Sequence, residues 1–323
     1  MTHMTHGGPD ALGAAPHDFS TNANACGPSP HALSAIGRAD PRRYPDPLYT
    51  ALRERLAEFH RVDARRIVVA ASASEFIARI TAAVAQRGGR RIRVPPHCYG
   101  DYLRAAEAWR FEPVSDGADL VWCCDPSSPL GQPQEGIDAC IAGLGAGTTC
   151  VIDLAYEPLR LEGALSLTAE HLDAIWQLWT PNKALGLTGV RAAYAIAPRG
   201  GAEMAARLAT LAPSWPVGSH GDALLESWTN SATQQWLTES RATLRSWKAS
   251  QREMCESLGW ECLPSVTNYF CAKPDMPYPG ERASALRANG IKLRDTTSFG
   301  LAGHVRLGVL PPASQQALRQ SWR

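Results

Sequence analysis

The sequence has little net charge, no cysteine pair at metal-ligating spacing and no long apolar run. Its 32 Lys and Arg against 31 Asp and Glu leave a formal charge of +1, which gives no reason to expect nucleic acid or an anionic membrane as partner. The nine cysteines are odd in number, scattered and without a C-x-x-C pair. Neither a disulfide framework nor a zinc ribbon is indicated, no metal is expected, and a reducing cytoplasm is the simplest setting. No window approaches the roughly 18 apolar residues of a membrane span, and the polar start Met1–Gly8 has no apolar stretch behind it to make an export signal. There is no internal repeat and no low-complexity tract. What is present is the material of a folded enzyme: 323 residues, 45% hydrophobic and 20% charged, enough for one large and one smaller domain.

Short apolar runs recur between longer helical patterns at residues 67–71, 92–95, 120–124, 150–154, 175–179 and 192–197. The alternation predicts an α/β fold, a mainly parallel central sheet sandwiched by helices. Ligands of such sheets bind beyond the carboxyl ends of the strands, where Ser72, Asp125, Asp153 and Lys183 fall. A helical pattern covers 231–258. Strand-like 267–273, helical 281–289, strand-like 291–295 and 304–310, and helical 313–323 follow as a small α+β domain. The expected division is an arm over 1–40, a large domain over 41–230, and the connecting helix with the small domain over 231–323.

The chemistry concentrates in four groups. Asp153 ends a strand, Tyr156 follows three residues on, Lys183 comes thirty residues after Asp153, and Arg191 eight beyond that. Pyridoxal phosphate needs such a set: an amine to form a Schiff base with its aldehyde and later carry a proton, and a carboxylate to keep its pyridine nitrogen protonated. A phenol for the ring oxygen and a guanidinium for the phosphate complete it. Taken singly, Asp153 reads as a loop charge or cap and Arg191 as a surface arginine. Ser72, Ala73 and Ser74 open a helix after a strand, and read either as an anion site at a helix N-terminus or as an ordinary N-cap with Glu75. Arg306 alternates with apolar neighbours in a strand, where an inward guanidinium needs a partner such as a substrate carboxylate. Arg294 is a second basic candidate, read as solvated or structural.

The stretch TPNKALGLTGVR, Thr180–Arg191, resembles the lysine motif of the fold type I aminotransferases, in the branch of histidinol-phosphate aminotransferase. The likeness extends to FSTNANACGPSP (19–30), RYPDP (43–47) and VRLGVL (305–310). Within the branch, His6-Gly7-Gly8 followed by DFSTN (18–22) looks most like threonine-phosphate decarboxylase of cobalamin biosynthesis. The resemblance implies Lys183 as the Schiff-base lysine, with Asp153 and Tyr156 at the ring. Ser72, Ala73, Ser74, Thr180, Asn182 and Arg191 would surround the cofactor. Tyr102, with Tyr99 as competitor, would stack on the ring, and Tyr44 would reach the cofactor phosphate across a homodimer. Arg306, Arg294, Asn22, His6 and Gly7 would meet the substrate, although His6–Gly8 also reads as a frayed arm. Two departures bear on cofactor grip. DPSSPLG puts Ser128 where the family has an asparagine, and Asn182 stands where a serine precedes the lysine, next to Pro181 with its missing donor. The expected reaction is decarboxylation of L-threonine O-3-phosphate to 1-aminopropan-2-ol phosphate. The alternatives are amino transfer with histidinol phosphate or another amino acid, and a non-catalytic scaffold.

Overall fold

The structure, a computed structural model, describes residues 6–278 and 280–322. The first five residues of the expected arm and the end of the last expected helix lie outside the described residues. A seven-stranded sheet runs Ile67–Ala70, Ala193–Ile196, Trp176–Trp179, Thr149–Asp153, Leu120–Cys124, Arg91–Arg93 and Glu112–Pro113. Neighbours are parallel except Ala193–Ile196, which is antiparallel to both strands beside it. Its central strands are apolar on both faces because both are covered. In Leu120–Cys124, Leu120 and Trp122 join one apolar cluster while Val121 and Cys123 join another on the opposite side.

The 27-residue helix Ser231–Ser257, capped by Asn230 through Ala232 N, spans about 40 Å. Its buried positions Thr233, Leu237, Ser240, Leu244, Lys248, Gln251 and Cys255 recur every three or four residues, so one stripe of it is covered throughout. Leu237 and Leu244 enter the core of the large domain and Cys255 that of the small one. The small domain carries a four-stranded antiparallel sheet in the order Arg294–Asp295, Val305–Gly308, Tyr269–Lys273, Glu261–Cys262. It is closed by helices Glu281–Ala288 and Pro312–Trp322.

The segment expected to be an arm is shared between the two cores. His17–Asp18 pairs in parallel with Ile291–Lys292, and Phe19 is fully buried in the small-domain cluster. Pro30–Arg38 forms a helix that sends Ala32 into the large-domain core. Phe19 at the first place, and Ala32 with the partly buried Ile36 at the second, anchor the segment expected to be an arm. Among the described residues, no helix is long and apolar enough to cross a membrane.

Candidate active site

The lysine motif folds as a short helix, Pro181–Ala184, after the strand Trp176–Trp179. Pro181 stands at the start of this helix, where its missing N–H costs the helix no hydrogen bond. Gly186 has φ +68°, and a Cβ there would lie 2.5 Å from the Gly27 carbonyl oxygen. Only glycine lets the lysine turn and the 22–29 segment approach so closely. Asn24 N donates to the Lys183 carbonyl at 2.9 Å and Asn24 Nδ2 to the Ala184 carbonyl at 3.0 Å, which clamps the lysine backbone from outside its own element. Lys183 Nζ lies 4.9 Å from the centre of the Tyr156 ring.

Asp153 ends its strand buried. Burial raises its carboxyl above the ordinary range, while a hydrogen bond from Tyr102 and the charge of Lys183 pull it back. Tyr102 Oη donates to Asp153 Oδ2 at 2.7 Å and Ala155 N to Oδ1 at 2.9 Å. This corrects the expectation for Tyr102. Its ring is fully buried, stacked on Trp122 with centroids 4.4 Å apart, and is not among the residues lining the cavity. Tyr99, one helical turn earlier, lines the cavity instead, with its hydroxyl 3.2 Å from that of Ser74.

These groups border one cavity of about 230 Å³. Ser72, Ala73, Ser74, Ser128, Asp153, Tyr156, Thr180, Asn182, Lys183 and Arg191 line it, as do His6, Gly7, Asn22, Arg294 and Arg306. At one wall the helix Ala73–Gln86 points its N-terminus inward. The cap is real, since Ser72 Oγ accepts from Glu75 N at 3.1 Å and Glu75 Oε2 accepts from Ala71 N at 3.1 Å. It coexists with an N-terminal turn at the cavity, whose unpaired backbone donors favour an anion. Asp125, expected at the strand ends, turns away into a buried ion pair with Arg160 at 2.7 Å.

Another part of the lining is cationic. Arg294 and Arg306 face each other across paired strands, both buried, so of the two readings of Arg294, solvated or structural, the solvated one does not hold. Arg306 donates to Ser128 Oγ at 3.5 Å and to the Ser20 carbonyl at 3.3 Å; Arg294 donates to Ser298 Oγ at 2.8 Å and the Asp295 carbonyl at 2.7 Å. Among the described residues no carboxylate accepts from either. Burial, then repulsion from Arg306, lowers Arg294 to about 10. The arm completes this wall, with Gly8 N donating to Ser20 Oγ at 2.9 Å and Lys292 Nζ to the Gly8 carbonyl at 2.6 Å.

Residues 16–119 and 115–321 match the family described as Aminotransferase class I and II. The chain belongs to that family. Histidinol-phosphate aminotransferase 1 of Bradyrhizobium diazoefficiens is 28% identical over 312 residues, 90% of this chain and 87% of that protein. Among solved structures, histidinol-phosphate aminotransferase from Sinorhizobium meliloti in complex with pyridoxal-5'-phosphate superposes with TM-score 0.78 at 21% identity, covering 93% and 88% of the two chains. L-threonine-O-3-phosphate decarboxylase from Porphyromonas gingivalis gives 0.76 at 23%, covering 94% and 97%. At these identities the structures establish the shared fold type I architecture.

The cofactor of this class I and II aminotransferase is pyridoxal 5'-phosphate, and the donor set fits it. Thr180 Oγ1, Asn182 Oδ1, Asn22 Oδ1 and Arg306 Nε are buried without a hydrogen-bond partner, all on residues lining the cavity. Unpaired polar atoms turned to one cavity mark a site built for a polar ligand. The sequence holds four lysines, and of these only Lys183 lines it. Sequence reasoning missed Ser20, Thr21, Thr188, Ser298 and Phe299, which also line it. Ser20 and Thr21 lie inside DFSTN and Thr188 inside TPNKALGLTGVR, motifs in which other residues were singled out, while Ser298 and Phe299 sit in a 3-10 turn with no motif; only the pairing of 17–18 with 291–292 brings the first two to the small domain.

Proposed function

We propose that this chain is a pyridoxal-phosphate-dependent aminotransferase whose amino substrate carries phosphate, histidinol phosphate or another amino acid of that kind. The observation that carries the reading is the pair Arg294 and Arg306, buried, adjacent and, among the described residues, without a carboxylate partner, lining the same cavity as Lys183 and Asp153. Two buried guanidiniums are stable only with anions to meet them. Amino donor and 2-oxoglutarate both bring such anions, and the curated relatives named histidinol-phosphate aminotransferase support amino transfer over the decarboxylation expected first. When bound, the cofactor supplies an electron sink for the pair left by whichever Cα bond stands perpendicular to its ring. Asp153 would hold the pyridine nitrogen charged, Lys183 would carry the proton, and Arg306 would take the carboxylate of 2-oxoglutarate or of an amino-acid donor in a bidentate grip.

Decarboxylation of threonine phosphate stands as the second reading, favoured by one observation. His6 and Gly7 line the cavity beside the two arginines, adding donors where a phosphate on a short side chain would lie. In both readings we take the functional unit to be a homodimer. The test is incubation of the cofactor-loaded protein with histidinol phosphate plus 2-oxoglutarate, and separately with L-threonine O-3-phosphate alone. Glutamate formed in the first supports amino transfer. Carbon dioxide released in the second, with no glutamate in the first, replaces it with decarboxylation, and neither product overturns both.

A further inference from the structure

One cluster of nucleophiles lies outside the site described. Cys123 and Cys150 sit on neighbouring parallel strands, with Val121 opposite Cys150 and Cys123 opposite Ile152, so they are diagonal neighbours on one face. Both are buried in the apolar cluster beneath helix Ile137–Ala142, and Cys140 packs against that cluster from the helix. The three thiols lie within interaction range of one another. Arg93 Nη2 donates to Cys140 Sγ at 2.6 Å. Only Cys140 of the three is partly open to solvent, as is Arg93.

A thiol becomes a nucleophile as its thiolate, which an adjacent guanidinium stabilises. Hydrogen bonds from Cys123 and Cys150, then the charge and hydrogen bond of Arg93, hold Cys140 well below the ordinary thiol range. The same sharing pushes Cys123 up to about 12 and Cys150 well above the ordinary thiol range. The negative charge therefore rests on the one sulfur that solvent reaches, with two thiols in contact behind it.

We propose that Cys140 is a hydroperoxide-reactive thiolate, activated by Arg93, which closes a disulfide with Cys150 or Cys123 across the seam between helix and sheet. The Cys140 sulfur attacks a peroxide oxygen; an S–O bond forms, the O–O bond breaks, and the leaving oxygen departs as water after protonation. Sulfur loses two electrons and the peroxide gains them. The second thiol then attacks the sulfenic sulfur; an S–S bond forms, the S–O bond breaks, and the released hydroxide takes the thiol proton to leave as a second water. The cross-link joins helix 137–142 to one of the two strands that end in Cys124 and Asp153, both at the cavity.

The test treats the cofactor-loaded protein, freed of reductant, with hydrogen peroxide, then blocks free thiols with N-ethylmaleimide and maps peptides. A Cys140–Cys150 or Cys140–Cys123 linkage that dithiothreitol reverses is expected. Cys140→Ser removes it, and Arg93→Met slows its formation on the order of tenfold through the lost thiolate fraction. Iodoacetamide labelling of the unmodified protein near pH 6 needs no variant, and Cys140 is expected to react ahead of Cys26 and Cys262, the other partly exposed thiols. Cys140 left reduced while Cys26 or Cys262 oxidises, or alkylated no faster than they are, overturns the proposal.

Discussion

At the scale of single residues, the proposed function divides the chemistry between Lys183 and Asp153, an amine and a carboxylate that line one cavity. Borohydride reduction of the cofactor-loaded protein, followed by peptide mapping, should place the label on Lys183. Lys183→Ala should lose turnover while keeping its circular dichroism; label on Lys248, Lys273 or Lys292 would refute the assignment. Asp153→Asn removes a charge that Tyr102 and Ala155 hold in place, and turnover should fall by about 10²–10³, the cost of one preorganised electrostatic contact. Tyr102→Phe should give a smaller loss, because it frees the carboxylate without removing it. Arg306→Lys keeps the charge but not the fork, so KM for carboxylate substrates should rise about tenfold or more with a smaller change in kcat.

At the scale of elements, the six apolar runs became six strands with no end shifted by more than two residues, because β-branched and apolar runs bounded by polar residues leave little choice of conformation. The strand Glu112–Pro113 was not legible. It is two exposed residues long, and its pairing with Arg91 and Ile92 is a property of the sheet, not of its own side chains. The antiparallel direction of Ala193–Ile196 was likewise hidden, since strand composition does not encode direction. Tyr99 and Tyr102 are both aromatic on one helix start, and only the Trp122 stack and the Asp153 bond decide which ring faces the cavity. One element also carries a pH prediction. Asp222, on the first turn of helix Ser219–Trp228, has an oxygen buried without a partner; burial, then Glu226 and Asp46, raises its carboxyl to about 6. The folded value lies above the unfolded one, so the stabilising contribution is complete below about pH 4 and is lost as pH rises through 6. Asp222→Asn should therefore raise the melting temperature at pH 7.5 and leave it unchanged near pH 4. The gain is on the order of 1 kcal/mol once screening of this half-buried group and its attraction to the helix N-terminus are set against the shift.

At the scale of the whole molecule, the cavity is assembled from both cores and from an N-terminal segment that bridges them. Gly7 shows how closely that bridge is fitted: a Cβ there would lie 2.0 Å from the Ser20 carbonyl oxygen. Gly7→Ala should lift the arm and raise KM for a phosphorylated substrate while sparing an unphosphorylated analogue; equal effects on both would remove the arm from the phosphate. The remaining question is whether one chain completes its own site. Tyr44 is 76% exposed, stacked on the exposed Trp215 at 4.3 Å, and borders a second depression that shares Arg191 with the main cavity. An aromatic pair so open to water is suited to contact with a second copy, and in a two-fold dimer each Tyr44 would serve the other chain's site. Mixing decides it. Lys183→Ala and Tyr44→Ala proteins, each impaired alone, should regain activity when subunits exchange, because a mixed dimer then holds one site with an intact lysine and an intact tyrosine from the other chain. Random exchange makes half the dimers mixed with one good site in two, so recovery should approach about a quarter of the unmodified rate. If Tyr44 acts on its own chain's site, no mixed dimer contains an intact one, and the mixture shows no more activity than its parts.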